Sequence, residues 1–151
     1  MPVFQLDERH LFPPVHLAES DGLLAIDGDL SPDRLLQAYA SGIFPWFNDG
    51  EPPLWWAPDP RFVLYPKKLK ISKSMKQVLR NSGFKITVDQ DFENVVKGCR
   101  APRKDQPGTW ITDEMSEAYC KLHELGFAHS AECWENDCLL YTSDAADDQA
   151  S

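Results

Sequence analysis

The sequence predicts a mixed α/β (α+β) fold in two parts, a small N-terminal domain over residues 1–60 and a second domain over residues 61–137. Three observations carry this. Short apolar runs suited to strands alternate with amphipathic stretches that carry helix-start signals. A proline- and tryptophan-rich stretch, Gly42 to Arg61, interrupts that alternation. The charge also changes sign at its end. Between Arg61 and Lys104 lie twelve lysines and arginines against only Asp89, Asp91 and Glu93, while the remainder holds three basic and twenty-one acidic residues.

Each element has its own signal. Phe4 to Pro14 reads as irregular, and Gly22 to Gly28 as a short strand or turn between glycines. Ser31-Pro-Asp is a helix start: serine caps, proline suits the first helical position, and aspartate suits the positive end. Leu35, Leu36, Ala38 and Tyr39 give that helix an apolar stripe, and Gly42 stops it. Phe62 to Tyr65 reads as a strand ended by Pro66. Ser72 or Ser74 caps a basic helix running to Asn81, with Gly83 beyond its end. Lys85 to Val88 is a strand, and Asp91 opens a helix through Phe92, Val95, Val96 and Cys99. Arg100 to Pro107 is a polar loop. Thr112 caps a longer helix with Met115, Ala118, Tyr119, Leu122 and Leu125 on one stripe, ended by Gly126. His129 to Glu135 is a strand entering an Asn136-Asp137 hairpin turn. The second part thus reads strand, helix, strand, helix, helix, strand.

The composition excludes several classes. No apolar run reaches the ~18 residues of a membrane span, and the N-terminus lacks the basic and apolar regions of a secretion signal. Cys99, Cys120, Cys133 and Cys138 have no metal-ligand spacing; free thiols, and hence a cytoplasmic setting, are expected. The net charge of −9 conceals the segregation described above. A basic segment inside an acidic chain suggests a polyanion site. Its bland counterpart is a solvated lysine-rich face.

The stretch from Gly42 to Arg61 holds three of the five tryptophans, Phe44, Phe47 and five prolines. Proline denies it a long helix and keeps it out of a central strand. Two readings fit: a rigid aromatic surface for stacking nucleobases, or a loop whose rings cap a small core.

Five ordered blocks carry a resemblance. They are Gly28-Asp-Leu-Ser-Pro, Ser41-Gly-Ile-Phe-Pro-Trp-Phe, Leu54-Trp-Trp-Ala-Pro-Asp-Pro-Arg, Gly108-Thr-Trp-Ile-Thr and Leu122-His-Glu-Leu-Gly-Phe-Ala-His-Ser. Over residues 22–137 the chain resembles the leucyl/phenylalanyl-tRNA–protein transferase family. The resemblance implies an aminoacyltransferase that moves leucine or phenylalanine (methionine is a further candidate donor) from aminoacyl-tRNA to proteins with N-terminal arginine or lysine, marking them for degradation under the N-end rule. It implies a second domain similar to the acetyltransferase (GNAT-like, acyl-CoA N-acyltransferase-like) fold, of which residues 61–137 form the first part. It implies no metal or organic cofactor. Residues 138–151 leave the family pattern. Cys138 to Asp148 looks like translated sequencing-adapter read-through, so that stretch is expected to be non-native, and without it the net charge becomes −6.

By the resemblance, Trp46, Trp110 and Tyr119 surround the terminal adenosine of the tRNA and its esterified amino acid. For Tyr119 a core role on the apolar stripe fits as well, and Trp55 and Trp56 read as structural. Lys73, Lys76 and Arg80, at i, i+3 and i+7, share one helical face. That face suits acceptor-stem phosphates, and Lys67, Lys68 and Lys70 extend it. The family pattern carries more arginine here, and Gln77 stands where a positive charge is expected. Arginine forks onto phosphate where lysine is a point charge, so this site is expected to grip less strongly.

The implied reaction is aminolysis of an activated ester. It needs positioning, proton removal from an amine and oxyanion stabilisation. The chain contains no G-x-S-x-G or H-E-x-x-H; Phe127 replaces the second histidine after His123-Glu124. His129 reads as structural. The family's acid/base residues lie beyond Asp137, so the catalytic residues are unknown and the fragment is expected to be inactive. Two other classes remain: a tRNA 3′-end binding module without chemistry, and an acyl-CoA-dependent N-acetyltransferase, whose Arg/Gln-x-x-Gly-x-Gly/Ala signature is absent.

Overall fold

A computed structural model describes residues 3–101, 109 and 111–140. It is mixed α/β and falls into two compact units, Met1–Arg61 with Arg100–Ala128, and Phe62–Cys99 with His129–Ser151.

The first unit is built on a four-stranded sheet. Its strands are β1 (Phe4–Gln5), β2 (Leu23–Ile26), β3 (Phe44–Pro45) and β4 (Leu54–Trp56), in the order β1-β2-β4-β3. β1 runs parallel to β2; the other pairings are antiparallel. Gly22 enters β2 at φ +96°, and a Cβ there would lie 2.8 Å from the Cα of Pro58, so conformation and space both demand glycine. Helix α1 (Pro32–Ala40) starts as its sequence requires, with the Arg34 amide donating to the Ser31 hydroxyl.

Helix α4 (Asp113–Glu124), the fourth along the chain, contacts α1. Thr112 caps it by accepting from the Met115 amide at 3.2 Å. It ends in a Schellman arrangement. Gly126, at φ +84°, donates to the His123 carbonyl and Phe127 to that of Leu122. Leu24, Leu35, Ala38, Ile43, Phe47, Trp55, Met115 and Leu122 make the core of this unit.

The second unit holds α2 (Lys73–Asn81), β5 (Lys85–Val88), α3 (Phe92–Arg100, whose last residue groups with the first unit), β6 (Ala131–Glu135) and β7 (Cys138–Leu140). Its antiparallel sheet has the order β5-β6-β7. Asn136 and Asp137, at φ +50° and +61°, turn β6 into β7, the pair of left-handed residues that a tight hairpin needs. Buried Glu132 ties the unit together. It accepts from the hydroxyls of Ser130 (2.6 Å) and Thr87 (2.7 Å) and from the amides of Gln90 (3.1 Å) and Asp91 (3.0 Å), so β6, β5 and the approach to α3 meet on one carboxylate. Among the described residues no apolar side chain of this unit is buried.

Two expectations need correction. Phe62 to Tyr65 forms no strand; its four side chains are exposed, and a single turn of 3₁₀-helix, Pro66–Lys68, follows. Strand-forming residues become a strand only against a partner edge, and no described strand pairs with these. The proline-rich stretch, in turn, is not merely a loop. Pro45 lies on an edge strand, as its missing N–H requires, but proline-free β4 sits inside the sheet, and fully buried Trp55 makes the stretch a core component.

Candidate nucleic-acid interface

Strand alternation aims the aromatic residues of the first unit. Ile43, Pro45 and Phe47 are buried, so Phe44 and Trp46 between them turn to the other face. Trp46 is 52% exposed. Its amide donates to the Leu54 carbonyl at 2.9 Å, and its carbonyl accepts the indole N–H of Trp56 at 2.8 Å. Trp55 alternates the opposite way: it is buried, stacks edge-on against Phe12 at 5.0 Å, and donates its indole N–H to the Asp27 carbonyl. A structural role for Trp55 agrees with these contacts. Trp110 lies outside the described residues.

Tyr119, on α4, is half-buried and shares a hydrogen bond between hydroxyls with Tyr39 of α1; the rings meet edge-on with centroids 6.4 Å apart. Burial raises both phenols above their ordinary value. Tyr39 adds to the rise at Tyr119, and its own rise is partly offset by the shared hydrogen bond. Both therefore stay neutral near pH 7, and one proton of the pair remains for donation elsewhere. Tyr39 is 46% exposed. Sequence reasoning assigned it only to an apolar stripe, and nothing local could have shown a partner 80 residues away.

In the second unit, Ser72 caps α2 by accepting from the Met75 amide at 3.1 Å. The helix presents Lys73, Lys76 and Arg80, with Gln77 and Asn81, on one open face. Lys67, Lys68 and Lys70 are exposed on and just after the 3₁₀ turn; the Lys68 ammonium lies 5.4 Å from the Tyr65 ring centroid. His129 pairs with Asp89 at 2.7 Å, beside the strand it precedes. Among the described residues no helix is long and apolar enough to cross a membrane.

The family model described as leucyl/phenylalanyl-tRNA protein transferase matches residues 63–142, and the one for that family's N-terminal domain matches residues 28–59. A leucyl/phenylalanyl-tRNA–protein transferase of Syntrophus aciditrophicus is 55% identical over 141 residues, covering 93% of this chain and 59% of the relative. Relatives of the same name from Nitrosospira multiformis (55% identical, 89% of this chain, 59% of the relative) and Thermodesulfovibrio yellowstonii (54%, 93% and 57%) are similar to it over a comparable stretch. The chain therefore spans a little under three fifths of the length of these curated relatives. With its larger part matched by the family model, the chain belongs to the leucyl/phenylalanyl-tRNA protein transferase family.

Proposed function

We propose that this chain is the tRNA-gripping part of an aminoacyltransferase that passes leucine or phenylalanine from aminoacyl-tRNA to the N-terminal arginine or lysine of an acceptor protein, in the cytoplasm. The family match over residues 63–142 carries this reading. The geometry supports it with an exposed indole on a fixed backbone in the first unit and three cations on one face of α2 in the second. In this reading Trp46, Trp110 and Tyr119 hold the terminal adenosine and its esterified amino acid. Lys73, Lys76 and Arg80 neutralise acceptor-stem phosphates, with Lys67, Lys68 and Lys70 extending the contact. The second unit is the start of a GNAT-like domain.

The chemistry follows from the substrate. The acceptor's α-amino group, with an ordinary pKa of about 8, is partly neutral at pH 7. Its lone pair attacks the ester carbonyl. The C–O bond to the ribose breaks, an amide bond forms, and the amine's proton leaves while the ribose hydroxyl regains one. Holding ester and amine together supplies most of the acceleration. Single-stranded tRNA ends expose their bases, so flat side chains are the suitable grip.

The test joins residues 1–137 of this chain to the segment of the Syntrophus relative that follows its counterpart of Asp137. Transfer of labelled leucine from leucyl-tRNA to an arginine-starting peptide is then measured. The chimera is expected to label the peptide, and the chain alone to give none. A folded chimera that binds tRNA without labelling contradicts the transferase reading and leaves a binding module.

A further inference from the structure

Trp56 is half-buried and adjoins a tryptophan that fills the core, yet its own polar atom serves a different purpose. Its indole N–H is spent on the carbonyl of Trp46, 2.8 Å away. The peptide unit before it, between Pro45 and Trp46, is held in turn by the Trp46 N–H, which donates to the Leu54 carbonyl. The register of β3 and β4, with Phe44 opposite Trp56 and Pro45 opposite Trp55, brings Trp56 alongside the residues leading to Trp46. Upstream, Arg61 donates to the Gly42 carbonyl at 2.6 Å, and its guanidinium lies 5.1 Å from the Phe44 ring centroid. Buried Pro45 and Phe47 flank the exposed indole.

A phenylalanine could cover most of the apolar surface that Trp56 covers. Only tryptophan adds an N–H donor at that reach, and aromatic residues with a polar handle place it on a partner. The partner here is the backbone of the exposed stacking residue. We propose that Trp56 is a positioning residue: its indole N–H fixes the Trp46 peptide, so that the Trp46 face meets the purine of an aminoacylated adenosine already oriented. This inference rests on the reading of Trp46 as a stacking residue. Orienting a flat side chain before binding removes an ordering cost, and losing that restraint weakens binding about three- to tenfold.

The experiment titrates the chain with 3′-deoxy-3′-(leucylamino)adenosine, a mimic that cannot be hydrolysed. Wild type, Trp56→Phe and Trp46→Ala are compared. The tryptophans carry 5-fluoro labels for fluorine NMR, and melting temperatures are recorded alongside. Trp56→Phe is expected to lose about three- to tenfold in affinity, to move or broaden the Trp46 fluorine signal, and to melt close to wild type. Wild-type affinity in Trp56→Phe overturns the proposal, as does a lowered melting temperature with the Trp46 signal unmoved. Loss of binding in Trp46→Ala alone leaves the stacking reading standing while Trp56 fails. A wild-type chain that does not bind the mimic, or Trp46→Ala that binds like wild type, removes that reading and this proposal together. Should Trp56→Phe not fold, benzothienylalanine at position 56, which keeps the shape and lacks the N–H, is judged by the same readouts.

Discussion

Arg34 and Glu132 are the two charged side chains that the described fold buries, and they are satisfied to different degrees. Arg34 donates to the Asp29 carboxylate at 2.9 Å and to the Asp7 carbonyl, and lies near the Phe12 ring, while its Nη1 has no partner among the described residues. Gly28 sits beside it at φ +85°, a conformation that favours glycine, and a Cβ there would also come within 2.9 Å of the Arg34 Cζ. Glu132, with four donors, is held down to about 2. The Ser130 hydroxyl contributes most to this, and the remaining donors help to outweigh burial. Its folded value lies below its ordinary 4.5, so the ionised form favours folding. That contribution is complete above pH 4.5 and is lost as the pH falls through this window towards about 2. Glu132→Gln is therefore expected to melt lower than wild type at pH 7 and to lose less between pH 4.5 and 2. Equal losses over that window in the two proteins, followed by circular dichroism, would contradict the assignment.

At the scale of elements, local chemistry was legible and pairing was not. Ser31, Ser72 and Thr112 each announce a helix, and each accepts from the amide three residues on. Asn136-Asp137 announces a hairpin because those residue types tolerate the left-handed region. Phe62 to Tyr65 has strand chemistry but no described partner, which no local pattern reveals. In the stretch from Gly42 to Arg61 the prolines obscured a period of two: Ile43, Pro45 and Phe47 point inward, as do Trp55 and Ala57. For the candidate site, spacing alone identified the cationic face of α2. The Tyr39–Tyr119 pair and three of the four donors on Glu132 join distant segments, and so were hidden until the chain folded. The buried side of β4 gives a direct check. Trp55→Ala removes the largest fully buried side chain and the hydrogen bond to Asp27, and is expected to cost about 3–5 kcal/mol of stability. A loss below about 1 kcal/mol in denaturant unfolding would mean that the core does not depend on it.

The whole molecule is asymmetric. Among the described residues the buried apolar side chains belong to the first unit, while Phe62, Leu64, Leu69, Met75, Leu79, Ile86 and Val88 of the second are exposed. Among these residues, apolar burial therefore stabilises the first unit and not the second. Charge divides along the chain as well: most of the cations lie between Arg61 and Lys104. The proposal that matters most is that this chain binds aminoacyl-tRNA, Trp46 meeting a base and the α2 cations meeting phosphates. The most direct measurement is the affinity of the chain for leucyl-tRNA across a salt series, for wild type, Trp46→Ala, and the triple variant Lys73→Ala, Lys76→Ala, Arg80→Ala. The triple variant is expected to lower the slope of log affinity against log salt by about 2–3. Trp46→Ala is expected to lower affinity by about tenfold at every salt concentration and to leave the slope unchanged. Binding with wild-type slope in the triple variant, or wild-type affinity in Trp46→Ala, would contradict the proposal.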